Sequence, residues 1–216
     1  MHHVDGKTVT QCFEVVSRVG SEIEALSLML KDMLNNALKD NNSSPYVLAG
    51  SDEYDEQYDE SGWVCTDMAC SFPLKSIGKG KKNIERYIGF QISLLGNHIK
   101  FQDSNEPLLH VFCWGDACSF EENNYLGFPL VIQDDESFNI INDRLLLWDS
   151  EDLSQWNKSA WTFSLRLIAL NSPDDLMNHI IKPVFALLNG QDVILALHDN
   201  LPALLKYPQK EILLSG

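Results

Sequence analysis

A run of acidic residues interleaved with tyrosines is the part of this sequence whose side chains are best placed to do chemistry. Six of the nine residues from 52 to 60 carry carboxylates. Carboxylates at this density attract basic partners, and tyrosines supply the rigid contact area that is enriched at interfaces. We therefore predict a partner-binding site made of Asp52, Glu53, Tyr54, Asp55, Glu56, Tyr58, Asp59 and Glu60.

The same charges restrict the local structure of this acidic segment, 52–60. Like charges repel one another, so the segment is not expected to form a buried strand. It lies between the strand-like stretches YVLAG at 46–50 and GWVC at 62–65. We predict an exposed connection that contributes to partner binding and not to folding. The alternative is a solvated loop without a partner.

Two Cys-x4-Cys pairs raise the question of a zinc site, because four thiolates can hold this metal. The pairs are Cys65 with Cys70 and Cys113 with Cys118. On a regular strand, residues five apart point to opposite faces and lie about 16 Å apart. We therefore expect buried structural thiols, with no bound metal and no cofactor.

Other catalytic patterns are weak. The sequence has no Gly-x-Ser-x-Gly nucleophile motif, and GKGKKN at 78–83 lacks the spacing of a phosphate-binding loop. No catalytic residue is predicted. An enzyme whose site is assembled from scattered residues remains the alternative.

The sequence also repeats itself in order. CTDMACSF at 65–72 corresponds to CWGDACSF at 113–120, YIGF at 87–90 to YLGF at 125–128, and NEPLL at 105–109 to NDRLL at 142–146. Three matches in register favour a duplicated β-hairpin unit over chance.

Hydrophobic periodicity supplies the elements that would position these residues. Apolar residues recur at helical spacing from 8 to 39, so we predict a long N-terminal helix, or a helix pair divided near Gly20. A stripe this wide favours a core element over a free coiled coil and leaves a homodimer open. Ile88, Phe90 and Ile92 alternate with polar residues, as in a strand with one buried face. Ser172 and Pro173 mark the start of C-terminal helix.

This order of elements predicts an α+β fold: a mostly antiparallel sheet that contains the duplicated hairpin, with the N-terminal and C-terminal helices packed on it. We expect one domain over 1–216. Its parts are a helical region at 1–40, a sheet at 46–170 with repeats at 63–109 and 111–148, and C-terminal helices at 172–207.

The net charge of the chain indicates which kinds of partner the protein can bind. Sixteen basic and 31 acidic residues give a net charge of −15, which opposes contact with nucleic acid and anionic membranes. With no signal peptide and no membrane-spanning run, we expect a cytoplasmic protein. The preferred hypothesis is a non-catalytic protein that binds a protein with a basic surface, as inhibitors, toxin-neutralising (immunity) proteins and adaptors do. Mimicry of nucleic acid ranks third, because the acids are bunched rather than spaced along a stripe.

Overall fold

The three-dimensional structure is a computed structural model, and it describes residues 5–39, 44–77, 83–95, 106–121, 138–148 and 153–207. Within these ranges the chain forms a long N-terminal helix, eight strands and a group of short C-terminal helices.

Helix α1 (Gly6–Lys39) is continuous over 34 residues. It begins before Thr8 because the Asp5 side chain caps it, accepting a hydrogen bond from the Thr8 N–H at 2.9 Å. The alternative of a helix pair divided near Gly20 is wrong, because α1 continues through Gly20 and Ser21. The Ser21 hydroxyl instead donates back to the Ser17 carbonyl at 3.1 Å, a bond that a helix interior accommodates.

All strand pairs among the described residues are antiparallel. The described part of the sheet has the order β1-β3-β4-β5-β8-β7-β6, and β2 pairs with β3 on the same side as β1. The strands are β1 (Tyr46–Leu48), β2 (Glu53–Tyr58), β3 (Cys65–Ser76), β4 (Arg86–Ser93), β5 (Leu108–Trp114), β6 (Phe138–Ile141), β7 (Leu145–Trp148) and β8 (Ala160–Arg166).

One face of the sheet carries the main core. The alternation predicted for β4 is confirmed, since Ile88, Phe90 and Ile92 are all buried in this core. Leu30 and Leu34 of α1 lie in the same cluster, as do residues of the C-terminal helices. A smaller aromatic cluster covers the opposite face and includes Phe112, Trp114, Phe138, Trp148 and Tyr207.

The C-terminal helices begin where the sequence indicated. Ser172 caps α2 (Pro173–Leu176), its hydroxyl accepting from the Asp175 N–H at 3.1 Å. Pro183 lacks an N–H, so in a regular α-helix it would kink or split the helix. The chain instead forms a π-helical turn (Met177–Ile181) and continues as α3 (Lys182–Leu188), a widening that accommodates a residue lacking the N–H. A short α4 (Val193–Ala196) follows.

The duplicated hairpin is not confirmed. Cys70 lies within β3, opposite Phe90 of β4, whereas Cys118 lies in an irregular segment after β5. YLGF at 125–128 falls outside the described residues. β5 pairs with both β4 and β8, so it is an interior strand, whereas β3 pairs with the short β1 and β2 on its outer side. Similar octapeptides therefore occupy different places in the sheet.

The α+β class, the mostly antiparallel sheet and the helices at both ends of the chain are confirmed. None of the helices in the described ranges has both the length and the apolar composition that crossing a bilayer requires.

Candidate functional site

The acidic segment forms an edge strand, so the prediction of a loop connection is wrong. β2 pairs with β3 in register, with Tyr54 opposite Cys70 and Glu56 opposite Met68. Charge repulsion argues only against burial, and both tyrosines and Glu56 remain exposed to water on this strand. The prediction that the segment is exposed holds, while its backbone is part of the sheet.

The period of a strand brings three site residues together on one face. The hydroxyls of Tyr54 and Tyr58 each donate a hydrogen bond to the Glu56 carboxylate, to Oε1 and Oε2 respectively, both at 2.8 Å. Tyr54 is 54% exposed and Tyr58 is 50% exposed. We call these three residues the Tyr–Glu–Tyr cluster. They present a carboxylate of fixed orientation flanked by two aromatic rings.

The cluster changes the ionisation of its own tyrosines. Partial burial, then the hydrogen bond to Glu56, raises the pKa of Tyr54 above its ordinary value. For Tyr58 the bond to Glu56 is the main cause of a raised pKa. Both hydroxyls therefore stay protonated at neutral pH and continue to donate.

A groove of about 610 Å³ lies between α1 and this face of the sheet. We call it the α1–β2 groove. Its polar lining includes Glu24, Lys31, Tyr54 and Glu56, and its apolar lining includes Leu28, Met68, Cys70 and Phe90. Met68 is 7% exposed and Phe90 is 1% exposed, so the floor is a surface of the main core. The groove thus combines an acidic rim with an apolar floor.

Lys31 does not neutralise the rim, because it is already paired. Its ammonium lies 2.7 Å from a carboxylate oxygen of Asp52, which holds the start of β2 against α1. The hydrogen bond to Asp52 raises the pKa of Lys31, so its ammonium stays charged at neutral pH. Glu24 and Glu56 remain as the carboxylates of the groove lining.

The thiol in the groove is poorly suited to nucleophilic chemistry. Burial, and then the charge of Asp52, raises the pKa of Cys70 to about 12. The thiolate is the reactive form of cysteine, and at neutral pH Cys70 is almost entirely a neutral thiol. Cys70 is therefore a lining residue rather than a candidate nucleophile.

The remaining site residues do not join the cluster, and, besides Asp52 with its Lys31 pair, two of them contribute to the fold. Asp55 accepts hydrogen bonds from the N–H groups of Phe120 at 2.7 Å and of Glu56 at 2.9 Å. It ties β2 to the segment after β5. This contradicts the prediction that the acids act only in partner binding.

Asp59 is the second structural acid. Its side chain accepts from the N–H groups of Trp63 at 2.8 Å and Val64 at 3.0 Å, and from the Ser61 hydroxyl at 2.6 Å. The Ser61 bond, followed by the backbone bonds, lowers the pKa of Asp59. Asp59 thereby closes the turn between β2 and β3, whereas Glu53 and Glu60 are exposed at the two ends of the acidic segment.

Cys65 and Cys70 do not point to opposite faces of β3, so that expectation is wrong. The β2–β3 register shifts between Gln57 and Tyr58, which pair with Asp67 and Cys65, so β3 bulges at Thr66. The bulge offsets the alternation, and Cys65 packs against the same core as Cys70 instead of the opposite face. Among the residues that the structure describes, no three His, Cys, Asp or Glu side chains gather as a metal site would require.

A serine and a histidine do meet, but in the interior. His110 Nδ1 lies 2.7 Å from Ser164 Oγ, which is also 2.7 Å from the Tyr207 hydroxyl. Both His110 and Ser164 are at most 1% exposed, and burial lowers the pKa of His110 to about 3. A base needs access to substrate, so this trio is a core hydrogen-bond network.

A second groove, of about 450 Å³, lies beside the C-terminal helices. Its lining includes His179, Lys182 and His198, but no Ser, Thr or Cys is among the described residues that line it. Its described lining therefore places no hydroxyl or thiol nucleophile beside these histidines.

Sequence reasoning named Tyr54, Glu56 and Tyr58 among eight residues of a connection, but it missed both their strand and their surroundings. Glu24, Leu28 and Lys31 come from α1, and Met68 comes from β3. A local signal existed for the strand itself, because tyrosine, glutamate and tyrosine at 54, 56 and 58 follow a period of two. Nothing local indicates that α1 lies beside them.

Comparison with known proteins adds no further assignment. No protein-family model matches the chain, and no curated protein and no solved structure is significantly similar to it.

Proposed function

We propose that this protein is a non-catalytic binding protein, and that the α1–β2 groove receives a basic segment of another protein. The observation that carries the proposal is the Glu56 carboxylate, held by Tyr54 and Tyr58 at the edge of an acid-rimmed groove with an apolar floor. A partner lysine or arginine would lay its aliphatic stem over Leu28 and Met68 and place its charge near Glu56.

The fixed orientation of Glu56 supports this choice of ligand. A carboxylate already held by two hydroxyl donors needs little reordering when a cation arrives, and preorganisation of this kind favours affinity. Two exposed tyrosine rings beside it offer cation–π contacts to the same charged group.

The charge of the whole chain also supports a basic partner. A net charge of −15 creates a field that accelerates the approach of a basic surface and opposes nucleic acid and anionic lipid. The acids of β2 add to this field locally, since Glu53 and Glu60 are exposed beside the cluster. Inhibitors, toxin-neutralising proteins and adaptors are the functional classes that fit, and a cytoplasmic location stays part of the proposal.

The test begins with affinity capture from an extract of the source cells, followed by identification of the captured protein and measurement of its binding kinetics. Glu56→Gln removes one charge from the groove and leaves an oxygen for a tyrosine hydroxyl. We expect it to slow association and to reduce the dependence of the association rate on salt. Tyr54→Ala should instead accelerate dissociation, because it removes packed contact area.

The matched control is Glu14→Gln. Glu14 is an exposed carboxylate of α1 outside the groove, so this variant makes the same change in net charge. If Glu14→Gln and Glu56→Gln change the kinetics equally, the net charge alone steers the partner and the groove is not its site. If neither changes them, the proposed function is wrong.

A further inference from the structure

Half of α1 extends beyond the body of the protein. Buried residues of this helix begin at Ile23, and every residue from 6 to 22 is exposed. We call this half, 6–22, the overhang. It is about 25 Å long at the rise of an α-helix. Its exposed apolar side chains include Val9 (43%), Phe13 (59%), Val16 (49%) and Val19 (42%).

These side chains continue the face of α1 that packs on the sheet. At about 100° per residue, the buried positions of α1 all fall within about 40° of one direction; they are Ile23, Ser27, Leu30, Leu34 and Leu38. Val9, Cys12, Phe13, Val16 and Val19 fall within about 60° of the same direction. The core-packing stripe therefore runs on past the edge of the sheet into water.

Charge is excluded from this stripe. The four charged residues of the overhang are Lys7, Glu14, Arg18 and Glu22, and they sum to zero. On the same helical projection they cluster within about 60° of the direction opposite to the stripe. The overhang thus has no net charge and carries its charged and apolar side chains on opposite faces, although the whole chain has a net charge of −15.

We propose that the overhang pairs with the overhang of a second copy of this chain, in antiparallel orientation. Two copies of an acidic protein repel each other over most of their surfaces, and the neutral overhang is where a close approach costs least. A basic partner would find no complementary charge on the stripe. A helix that binds membranes usually has a basic polar face, which this one lacks.

The position of the sheet determines whether the two paired helices run parallel or antiparallel. From Ile23 onward, the chain's own sheet covers the face on which the partner helix would lie. In a parallel pair both bodies would lie at the same end and on the facing sides of the two helices, where they would collide. In an antiparallel pair the bodies lie at opposite ends, and the two overhangs overlap over their full length.

Because the two overhangs overlap over their full length, the residues that face each other in the pair are determined. The midpoint of the overhang is residue 14, so opposed residues have numbers that sum to 28. Val9 then faces the partner's Val19, and Cys12 faces the partner's Val16. Each of these four seam residues therefore meets another seam residue in the other helix, as antiparallel coiled-coil packing requires.

The small apolar area of the stripe indicates a weak dimer. The exposed apolar side chains of one stripe present on the order of 400 Å², so a pair buries about 800 Å², below standard specific interfaces. We expect a dissociation constant in the micromolar range, with monomer and dimer exchanging quickly.

Sedimentation equilibrium of the full chain, from about 1 to 300 µM, tests the dimer over the expected micromolar range. The wild-type mass should rise from 24.5 kDa towards twice that value. Val16→Glu places a charge in the seam of both helices and should weaken association on the order of 100-fold, because a buried charge has no partner there. Arg18→Glu, which adds a glutamate on the opposite face, should leave association within a few-fold of wild type.

A wild-type chain that stays at the monomer mass over this range would overturn the proposal. So would Val16→Glu and Arg18→Glu having the same effect, since the stripe would then not be the contact. Binding of wild type, but not of Val16→Glu, to neutral lipid vesicles at monomeric concentration would assign the stripe to a lipid surface instead. Neither variant changes the α1–β2 groove, so these outcomes are independent of the proposed basic partner.

Oxidative cross-linking tests the orientation. In the antiparallel register the two Cys12 residues are offset by about 6 Å along the axis, and their Cα atoms lie about 10 Å apart. This exceeds the span of a disulfide, so oxidised wild type should give little cross-linked dimer. Val16→Cys places a cysteine opposite the partner's Cys12 and should cross-link efficiently through Cys12 and residue 16. A Cys12–Cys12 disulfide as the main product in wild type would refute the antiparallel arrangement.

Discussion

His110 should make the stability of this protein depend on pH between about 6.5 and 5. The imidazole is buried in β5, and burial lowers its pKa from 6.5 to about 3. In the unfolded chain it takes up a proton near its ordinary pKa, whereas the folded protein keeps it neutral. The unfolded state therefore binds more protons in this window, and stability must fall as pH falls.

The magnitude follows from these two pKa values. Above pH 6.5 the two states bind equally few protons, and the full stability is present. At pH 5 the unfolded imidazole is almost fully protonated while the folded one is not, which lowers the free energy of unfolding by about 2 kcal/mol. The loss continues towards pH 3, and below about pH 5 the carboxylates of the unfolded chain begin to take up protons as well.

Urea unfolding at pH 8, 6.5 and 5 measures this effect. His110→Asn should lower stability at every pH, because it disturbs the contact with Ser164, but it should flatten the pH dependence. His198→Asn is the matched control, since it removes an exposed imidazole and keeps His110 in place. A wild-type slope that survives in His110→Asn would refute the argument. So would an NMR titration in which the folded His110 ring protonates near pH 6.5.

Two pairs of substitutions each compare a packed position with an open one. Leu30→Ala, at a position that is 0% exposed, should lower the free energy of unfolding by about 2 to 5 kcal/mol. Val16→Ala in the overhang should change it by less than about 0.5 kcal/mol in dilute solution, and equal losses would show that the overhang packs on the body. Gly89→Ala should destabilise by about 3 kcal/mol or more, because a Cβ there would collide with the Cys70 carbonyl oxygen and lie 2.5 Å from Phe112 Cζ. Gly20→Ala in the open overhang should raise helix stability by about 0.5 to 1 kcal/mol, since nothing lies within 4 Å of its Cβ position; thermal unfolding and circular dichroism measure both glycine variants.

Local physics decided much of the fold, so the sequence could predict it. Helical spacing identified α1 over almost its whole length, and period-two alternation identified β4, because burial of one face acts residue by residue. The cap at Ser172 was recognisable for the same reason, since its partner is three residues away. The acidic and aromatic character of 52–60 was also visible, as was its exposure.

The tertiary structure decided which surfaces these elements share. Whether 52–60 is a loop or a strand depended on β3 offering a free edge, and the bulge at Thr66 depended on that pairing. The roles of Asp55 and Asp59 arise from amide groups that only the fold or the turn presents. The apolar stripe of α1 predicted a core element and left a homodimer open, and the sheet covers only the half of the helix that begins at Ile23. A periodic sequence pattern shows which face of a helix is apolar, but only the packing of the whole fold determines how much of that face is covered.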